Sequence, residues 1–150
     1  MGDLRLVELS ATTIVAVNSL SLKPGQEQFL APVSYGVAAT VMNPQTGWQR
    51  VVLDDDTVVG FVSADFDRNA IIEHFQSVLW RINVDAEGQG RGVGRFAVQA
   101  LVAEARERGF DHIDVIYEAG AGGPEAFFLR MGFTPVGETE YGEVIGRITL

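Results

Sequence analysis

The strongest constraint on this chain is a glycine-rich turn between an apolar run and a helical pattern. The apolar run covers residues 78–84, the turn reads Gln-Gly-Arg-Gly-Val-Gly over residues 89–94, and helical periodicity follows from Arg95 to Arg108. Glycine lets the backbone approach a ligand closely, and a helix N-terminus carries partial positive charge. These residues therefore suit an anionic group such as a pyrophosphate. A turn that only connects a strand to a helix fits the same pattern.

Two familiar phosphate motifs do not match this turn. A P-loop has Lys followed by Ser or Thr after its last glycine, whereas Arg95 and Phe96 follow Gly94 here. A dinucleotide fingerprint has the spacing Gly-x-Gly-x-x-Gly, but the spacing from Gly90 is Gly-x-Gly-x-Gly. The sequence therefore disfavours a nucleotide triphosphate site and a nicotinamide cofactor.

Composition predicts one domain over residues 1–150. With 47% hydrophobic residues the chain can bury a core without disulfide or metal support. No apolar run approaches the roughly 18 residues of a membrane span, and the N-terminus lacks a signal-peptide pattern, so we expect a cytoplasmic protein with no membrane partner. Cysteine is absent and His74 and His112 are the only histidines. We therefore expect no metal site and no acyl-cysteine intermediate.

The net charge of −9 bears on the choice of partner. Nucleic acid is disfavoured, because phosphate neutralisation needs clustered Lys and Arg. A cationic small molecule fits an acidic protein better, although the charge is also explained by solubility alone.

Periodicity and turn residues predict a chain of alternating strands and helices. The predicted elements are an edge strand Leu4–Leu9, a helix capped by Ser10 or Thr12 and ending near Asn18, short helices Glu27–Leu30 and Tyr35–Met42, a hairpin of Trp48–Leu53 and Val58–Ala64 with its turn at Asp54–Asp56, a polar loop Asp65–Asn69, a central strand Gln76–Asp85, a long helix Arg95–Arg108, a strand Asp111–Tyr117, a short helix from Pro124 to near Met131, and strands Thr134–Glu138 and Glu143–Thr149. Gly60 is expected to mark a bulge or close packing. Within the central strand, Trp80, Ile82 and Val84 are expected to face away from Arg81 and Asn83.

Three segments in order resemble a known family. The spacing Gln-x-x-Gly-x-Gly over residues 89–94 is similar to the acyl-CoA pyrophosphate motif of the GNAT superfamily of N-acetyltransferases. Leu79–Asp85 resembles the central strand of that family, and Phe127–Phe133 resembles its later Phe-Tyr-x-x-x-Gly-Phe segment. Gln28–Pro32 and Gly142–Ile145 are similar to the branch that acetylates polyamines and other small amines.

This resemblance implies an α/β (α+β) fold with a mixed, mostly antiparallel sheet of six to seven strands flanked by about four helices. It implies acetyl-CoA as co-substrate, without a metal, and acetyl transfer to a primary amine by direct attack in a ternary complex. The acceptor is expected to be a small cationic molecule, and a homodimer is expected because the family often dimerises. Two alternatives stay open: an acyl-CoA-binding regulatory module with weak or no turnover, and an acetyltransferase acting on protein lysines or N-termini.

The resemblance also assigns residues to the co-substrate. Backbone groups of the central strand would pair with the pantetheine arm, and one of its amides would help stabilise the oxyanion. The turn and the first helical residues would hold the pyrophosphate, and two residues of the later segment would contribute. The predicted binding residues are Ile82, Asn83, Val84, Gln89, Gly90, Arg91, Gly92, Val93, Gly94, Arg95, Phe128 and Arg130.

Catalytic residues are less constrained, because this chain departs from the family pattern at one position. Phe128 stands where the family often has a tyrosine that protonates the leaving thiolate, so an acid at that position is excluded. The remaining candidate acids are Tyr117 and Tyr141. Candidate bases are Glu27, Asp65, His74 and Glu118.

Overall fold

The computed structural model describes residues 4–18, 45–85, 92–120, 124–139 and 142–150. A sheet of seven strands forms its centre, in the order β1-β2-β3-β4-β5-β7-β6. The strands are β1 Leu4–Glu8, β2 Gly47–Asp54, β3 Thr57–Phe66, β4 Ser77–Val84, β5 His112–Tyr117, β6 Thr134–Glu138 and β7 Val144–Thr149. All neighbouring pairs are antiparallel except β4 and β5, which are parallel. This confirms the predicted mixed, mostly antiparallel sheet.

Three α-helices lie within the described ranges: α1 Ile14–Asn18, α2 Val93–Glu107 and α3 Glu125–Met131, with a 3-10 helix over Glu73–Phe75. The helices predicted at 27–30 and 35–42 fall outside those ranges. Helix α1 begins later than expected, because the Ser10 carbonyl accepts hydrogen bonds from the amides of Thr13 and Ile14 and so forms a separate turn first.

The predicted hairpin is present, and its strands are longer than the apolar pattern indicated. Asp54 pairs with Thr57, which leaves a two-residue turn in which Asp55 has a φ of 53°. Aspartate is one of the few residues other than glycine that tolerates this left-handed conformation. The predicted loop Asp65–Asn69 is wrong at its start, because β3 continues to Phe66. Asp65 pairs with Gly47 on one side and with Val78 on the other, so it belongs to β3.

Gly60 marks both a bulge and a close approach, as expected. The register of β2 and β3 shifts because Val52 pairs with Gly60 while Leu53 pairs with Val58. An ideal Cβ at Gly60 would lie 3.1 Å from Val93 Cγ1 and 3.2 Å from the Asn83 carbonyl oxygen. Helix α2 can therefore begin directly against the sheet.

The two faces of the sheet carry separate cores. On one face, which we call the α2 face, Val62, Leu79 and Ile82 pack with residues of α2 such as Leu101. On the opposite face, the α1 face, Val17 packs with Val51, Leu53 and Phe61. Phe61 and Val62 are consecutive in β3, so alternation along the strand assigns them to the two faces.

A second bulge corrects the predicted orientation of Trp80. Ser63 pairs with Arg81 and Ala64 with Leu79, so Trp80 is an extra residue in β4. Trp80 is 37% exposed and stacks on Phe75, whereas Ile82 lies in the α2-face core. Simple alternation fails here because a bulge inserts one residue into the pattern.

We expect Gly60→Ala to lower the free energy of unfolding by about 1–3 kcal/mol, because its methyl group would press on Val93 and on the β4 backbone. Urea unfolding measures this change. Gly137→Ala is the matched control, since an ideal Cβ there has its nearest neighbour at 3.9 Å. The control should be neutral or stabilising, by about 0.4–1 kcal/mol. Equal effects of the two variants would contradict the close approach at Gly60.

Candidate active site

The parallel strands β4 and β5 part soon after they meet. Their paired positions are Val78 with Asp114 and Leu79 with Val115. Beyond this point β4 continues to Val84, still paired with β3, and β5 continues to Tyr117, paired with β7. Within the described part of the chain, no strand pairs with this stretch of β4 on the β5 side. We call the opening between residues 81–84 and residues 116–117 the fork.

Backbone groups of Ile82 face the fork. The Asp85 amide donates to the Val59 carbonyl at 2.8 Å, so Asp85 faces β3. Backbone groups of successive strand residues alternate in direction, which turns Asn83 toward β3 and Ile82 toward the fork. A strand edge with amide and carbonyl groups directed outward can pair with an extended ligand that carries its own amides.

Helix α2 begins beside the fork. Gly92 precedes it with a φ of 87°, and its carbonyl accepts the first intrahelical hydrogen bond, from Phe96, at 2.9 Å. The amides of Val93, Gly94 and Arg95 precede that bond and have no intrahelical acceptor. The Arg95 side chain is exposed. The other predicted residues of this turn, Gln89, Gly90 and Arg91, lie outside the described ranges.

Gly94 is buried, and packing explains why glycine is needed there. An ideal Cβ at Gly94 would lie 2.6 Å from Phe127 Cε1 and 3.7 Å from Val84 Cγ2. A side chain at this position would push α3 away from α2. The glycine pattern that predicts a phosphate contact thus has a second cause, the close meeting of α2, α3 and the end of β4.

An aromatic cluster follows from Phe127 toward β5. Phe128 is 2% exposed. The centroid of its ring lies 5.2 Å from that of Tyr117, 5.4 Å from that of Phe127 and 5.6 Å from that of Phe133. Phe128 is therefore a core residue, and its predicted contact with acetyl-CoA stays a prediction. Arg130 lies on the exposed side of α3.

Tyr117 is the candidate acid that the fold brings to the fork. It ends β5 and is 3% exposed, and its hydroxyl has no hydrogen-bond partner among the residues described. Burial raises the pKa of Tyr117, and the nearby Glu125 carboxylate raises this pKa further. Tyr117 therefore stays protonated at neutral pH.

The other candidates are scattered. Glu118 follows Tyr117 directly and is exposed at the tip of the fork. His74 lies on the 3-10 helix with its ring 4.5 Å from that of Phe75, and Asp65 lies on β3 beside the start of β4. Glu27 and Tyr141 lie outside the described ranges.

A buried ion-pair network was missed by sequence reasoning. Asp114 is 0% exposed and accepts two hydrogen bonds from Arg147, at 2.7 Å from Nε and 2.9 Å from Nη2. Arg147 Nη1 also lies 3.2 Å from Glu73 Oε1. Hydrogen bonding to Asp114, and the negative charges of Asp114 and Glu73, raise the pKa of Arg147 above its ordinary value. The only sequence signal was an aspartate inside an apolar strand pattern, which by itself names no partner. The network joins β5, β7 and the 3-10 helix.

A polar depression of about 240 Å³ lies at the other end of the parallel strands. Its lining residues are Arg68, Gln76, Gly109, Phe110, Asp111 and His112. Hydrogen bonding to His112 holds the pKa of Asp111 below its usual value. These residues precede β4, follow α2 or lie at the start of β5, so this depression is separate from the fork.

A family comparison matches most of the chain. The model of the Acetyltransferase (GNAT) family matches residues 22–133. The chain belongs to the GNAT family of acetyltransferases. This membership makes it an acyltransferase, and the fork and the start of α2 lie within the matched region.

Solved structures of low sequence identity share the fold. An acetyl transferase of Salmonella typhimurium, which modifies the N-terminal serine of 50S ribosomal subunit protein L7/L12, has a TM-score of 0.75 at 19% identity, over 98% of this chain and 95% of that chain. PaiA N-acetyltransferase of Thermoplasma acidophilum, in complex with coenzyme A, has a TM-score of 0.72 at 12% identity, over 99% of each chain. The ribosomal-protein-S18-alanine N-acetyltransferase of Escherichia coli has a TM-score of 0.69 at 17% identity, over 98% of this chain and 94% of that chain. Among curated proteins, none matches this chain.

Within the described residues, none of the helices is long and apolar enough to cross a membrane. In the same part of the chain, no group of three or more histidine or acidic residues is arranged to hold a metal ion.

The raised pKa of Tyr117 predicts a specific alkaline response. The ordinary tyrosine pKa is 10.0 and folding raises it, so above about pH 10 the unfolded chain loses this proton before the folded one does. The contribution of Tyr117 to stability is therefore complete below pH 10 and decreases as the pH rises through its folded pKa. We expect the free energy of unfolding of Tyr117→Phe to fall less steeply than that of the wild type between about pH 9.5 and 11, by urea titration. Parallel curves would contradict the burial of this hydroxyl.

Proposed function

We propose that this protein transfers an acetyl group from acetyl-CoA to a primary amine of a small cationic molecule, by direct attack in a ternary complex. The observation that carries the proposal is the fork, an opened parallel pair whose free edge at Ile82 lies beside the N-terminus of α2. Family membership supplies the reaction class, and the geometry suggests how the chain performs it.

The described residues fit acetyl-CoA. The co-substrate supplies an activated acyl carbon, an amide-bearing arm and a pyrophosphate. Ile82 would pair through its backbone with the arm, and the first amides of α2 together with Arg95 would hold the negative charge. A neighbour of the same fold, PaiA N-acetyltransferase, was crystallised with coenzyme A, which supports this use of the fold.

A small cationic acceptor is supported by two features. The chain carries a net charge of −9, which favours the approach of a cation. The segments Gln28–Pro32 and Gly142–Ile145 resemble the small-amine branch of the family. Two fold neighbours are named for ribosomal proteins as acceptors, so a protein N-terminus is the second candidate.

The transfer requires one bond to form and one to break. The amine nitrogen bonds to the acyl carbon, the carbon–sulfur bond breaks, the amine loses a proton and the sulfur gains one. A backbone amide of β4 would donate to the carbonyl oxygen as negative charge develops there. We propose that Tyr117 is the acid that donates a proton to the sulfur. Glu118, or a water at the tip of the fork, would be the base that accepts the proton from the amine.

The test of this function is release of free CoA thiol from acetyl-CoA in the presence of a panel of amines and peptides. The protein contributes no thiol background because it has no cysteine. We expect Arg95→Gln to weaken acetyl-CoA binding about tenfold, roughly 1.4 kcal/mol, because a charge near the phosphates is lost. Arg106→Gln is the matched control, an exposed arginine in the last turn of the same helix, and it should bind as the wild type does.

Several outcomes would contradict this proposal. Equal acetyl-CoA affinity in Arg95→Gln and Arg106→Gln would exclude the N-terminus of α2 as the phosphate site. Tight binding of CoA with no acetylated amine or peptide would favour a binding module without turnover. Turnover of peptides alone would move the acceptor from a small molecule to a protein.

Exchange of the tyrosine between two positions tests the proton donor. Tyr117→Phe should lower kcat about 10²-fold, because the leaving thiolate loses its acid, while the affinity for acetyl-CoA is unchanged. Phe128→Tyr in the Tyr117→Phe background should restore part of the loss, because the two rings are neighbours at 5.2 Å. Steady-state kinetics over a pH range measures both. An unchanged kcat in Tyr117→Phe would show that the thiolate is protonated elsewhere or that its release is not limiting.

A further inference from the structure

Asn83 carries a buried polar side chain that no residue in the described part of the chain satisfies. The residue is 1% exposed, and among the described residues neither Oδ1 nor Nδ2 has a hydrogen-bond partner. A primary carboxamide offers two donors on nitrogen and an acceptor on oxygen. Buried polar groups in native proteins are nearly always hydrogen-bonded. A side chain in which the donor and the acceptor both lack a described partner therefore needs an explanation.

The position of Asn83 relates it to the fork. It follows Ile82, whose backbone faces the opening, and it pairs with Phe61 across β3. Directly opposed residues of an antiparallel pair share a face, and Phe61 packs with Val17 of α1. The Asn83 side chain therefore lies on the α1 face, opposite the face that carries α2.

This placement corresponds to the acceptor side. In the proposed function, phosphates lie at the N-terminus of α2, on the α2 face, and the acyl end reaches the fork from there. An attacking amine then has to approach from the other face, because the donor occupies the first. Asn83 is the buried polar residue of β4 on that face that lies beside the fork and has no partner in the described structure.

We infer that the Asn83 carboxamide is an acceptor-recognition group that selects amines carrying a hydrogen-bonding oxygen close to the nitrogen. The inference rests on the proposed function and narrows its acceptor. Oδ1 would accept an N–H of the amine, and Nδ2 would donate to the neighbouring oxygen. An α-amino amide or an amino alcohol satisfies both atoms. A plain alkylamine supplies a donor alone and leaves Nδ2 buried without a partner.

Ser77, on the same strand, is the control that distinguishes acceptor recognition by Asn83 from the general effect of removing a buried polar group. Ser77 begins β4, is fully buried, and has a hydroxyl without a partner among the described residues. It pairs with Phe66 at the end of the strand far from the fork. Asn83→Leu and Ser77→Ala both remove a buried unsatisfied group from β4, and one of the two groups lies beside the reacting atoms.

The experiment compares L-alaninamide with 3-methyl-2-butylamine, an alkylamine of similar shape without the oxygen. Rates are expressed per free-base amine, for the wild type, Asn83→Leu and Ser77→Ala. CoA affinity is measured by calorimetry and the midpoint of thermal unfolding by circular dichroism. The wild type should prefer alaninamide at least about tenfold in kcat/KM, and Asn83→Leu should bring this ratio close to one through a higher KM for alaninamide. Ser77→Ala should keep the ratio.

Both variants should keep the wild-type affinity for CoA, because the pantetheine arm is assigned to backbone groups of β4 and not to these side chains. Both should unfold at the wild-type temperature or above it, because removing a buried unsatisfied group relieves its desolvation cost. A wild-type ratio of one, or an unchanged ratio in Asn83→Leu, would overturn the inference. A lower unfolding temperature of Asn83→Leu with an unchanged ratio would also overturn it, because the carboxamide would then have a structural partner such as a buried water. No turnover of either amine or of the wider panel, with intact CoA binding, would remove the proposed function itself.

Discussion

The short contact between the two parallel strands is the constraint on which the site depends. Strands β4 and β5 pair at two positions and then separate, each held by its other neighbour. Without β3 and β7 on the outer sides, the separated ends would lose the strand partners that hold their backbone hydrogen bonds and would not stay extended. The antiparallel outer strands therefore allow a parallel pair to stay open inside a sheet.

Close packing fixes the positions of α2 and α3 relative to the two sides of the fork. Gly94 lets α2 meet the Phe127 ring, and Phe127 contacts Phe128, which packs on Tyr117 at the end of β5. One series of contacts thus runs from the start of α2 through α3 to the far side of the fork. The helix N-terminus and Tyr117 are placed by the same hydrophobic core, so the anion binding and the proton donation that we propose for them would share one structural cause.

Sequence patterns predicted the parts of this arrangement that are local. The start of α2 after Gly92, the hairpin around Asp55 and the apolar run of β4 are each predicted from neighbouring residues, and the structure has each of them. The bulge at Trp80 depends on how β3 and β4 fit together, and the Asp114–Arg147 pair joins residues 33 positions apart. Contacts between residues that are far apart in the chain produce no periodic pattern in a single sequence. That Asn83 lacks a partner among the described residues is also not visible in the sequence, because it depends on what surrounds the side chain.

The ion pair of Asp114 with Arg147 has a mechanical consequence. Asp114 pairs with Val78, one step before the last contact of the two parallel strands, and Arg147 ties it to β7 and to Glu73. Breaking such a buried ion pair costs free energy, so the paired parts of β4 and β5 at the base of the fork resist separation. A molecule that wedges the strands apart must bend their free tips instead. Movement is then confined to the ends of β4 and β5, where the proposed function places the acyl carbon and the attacking amine.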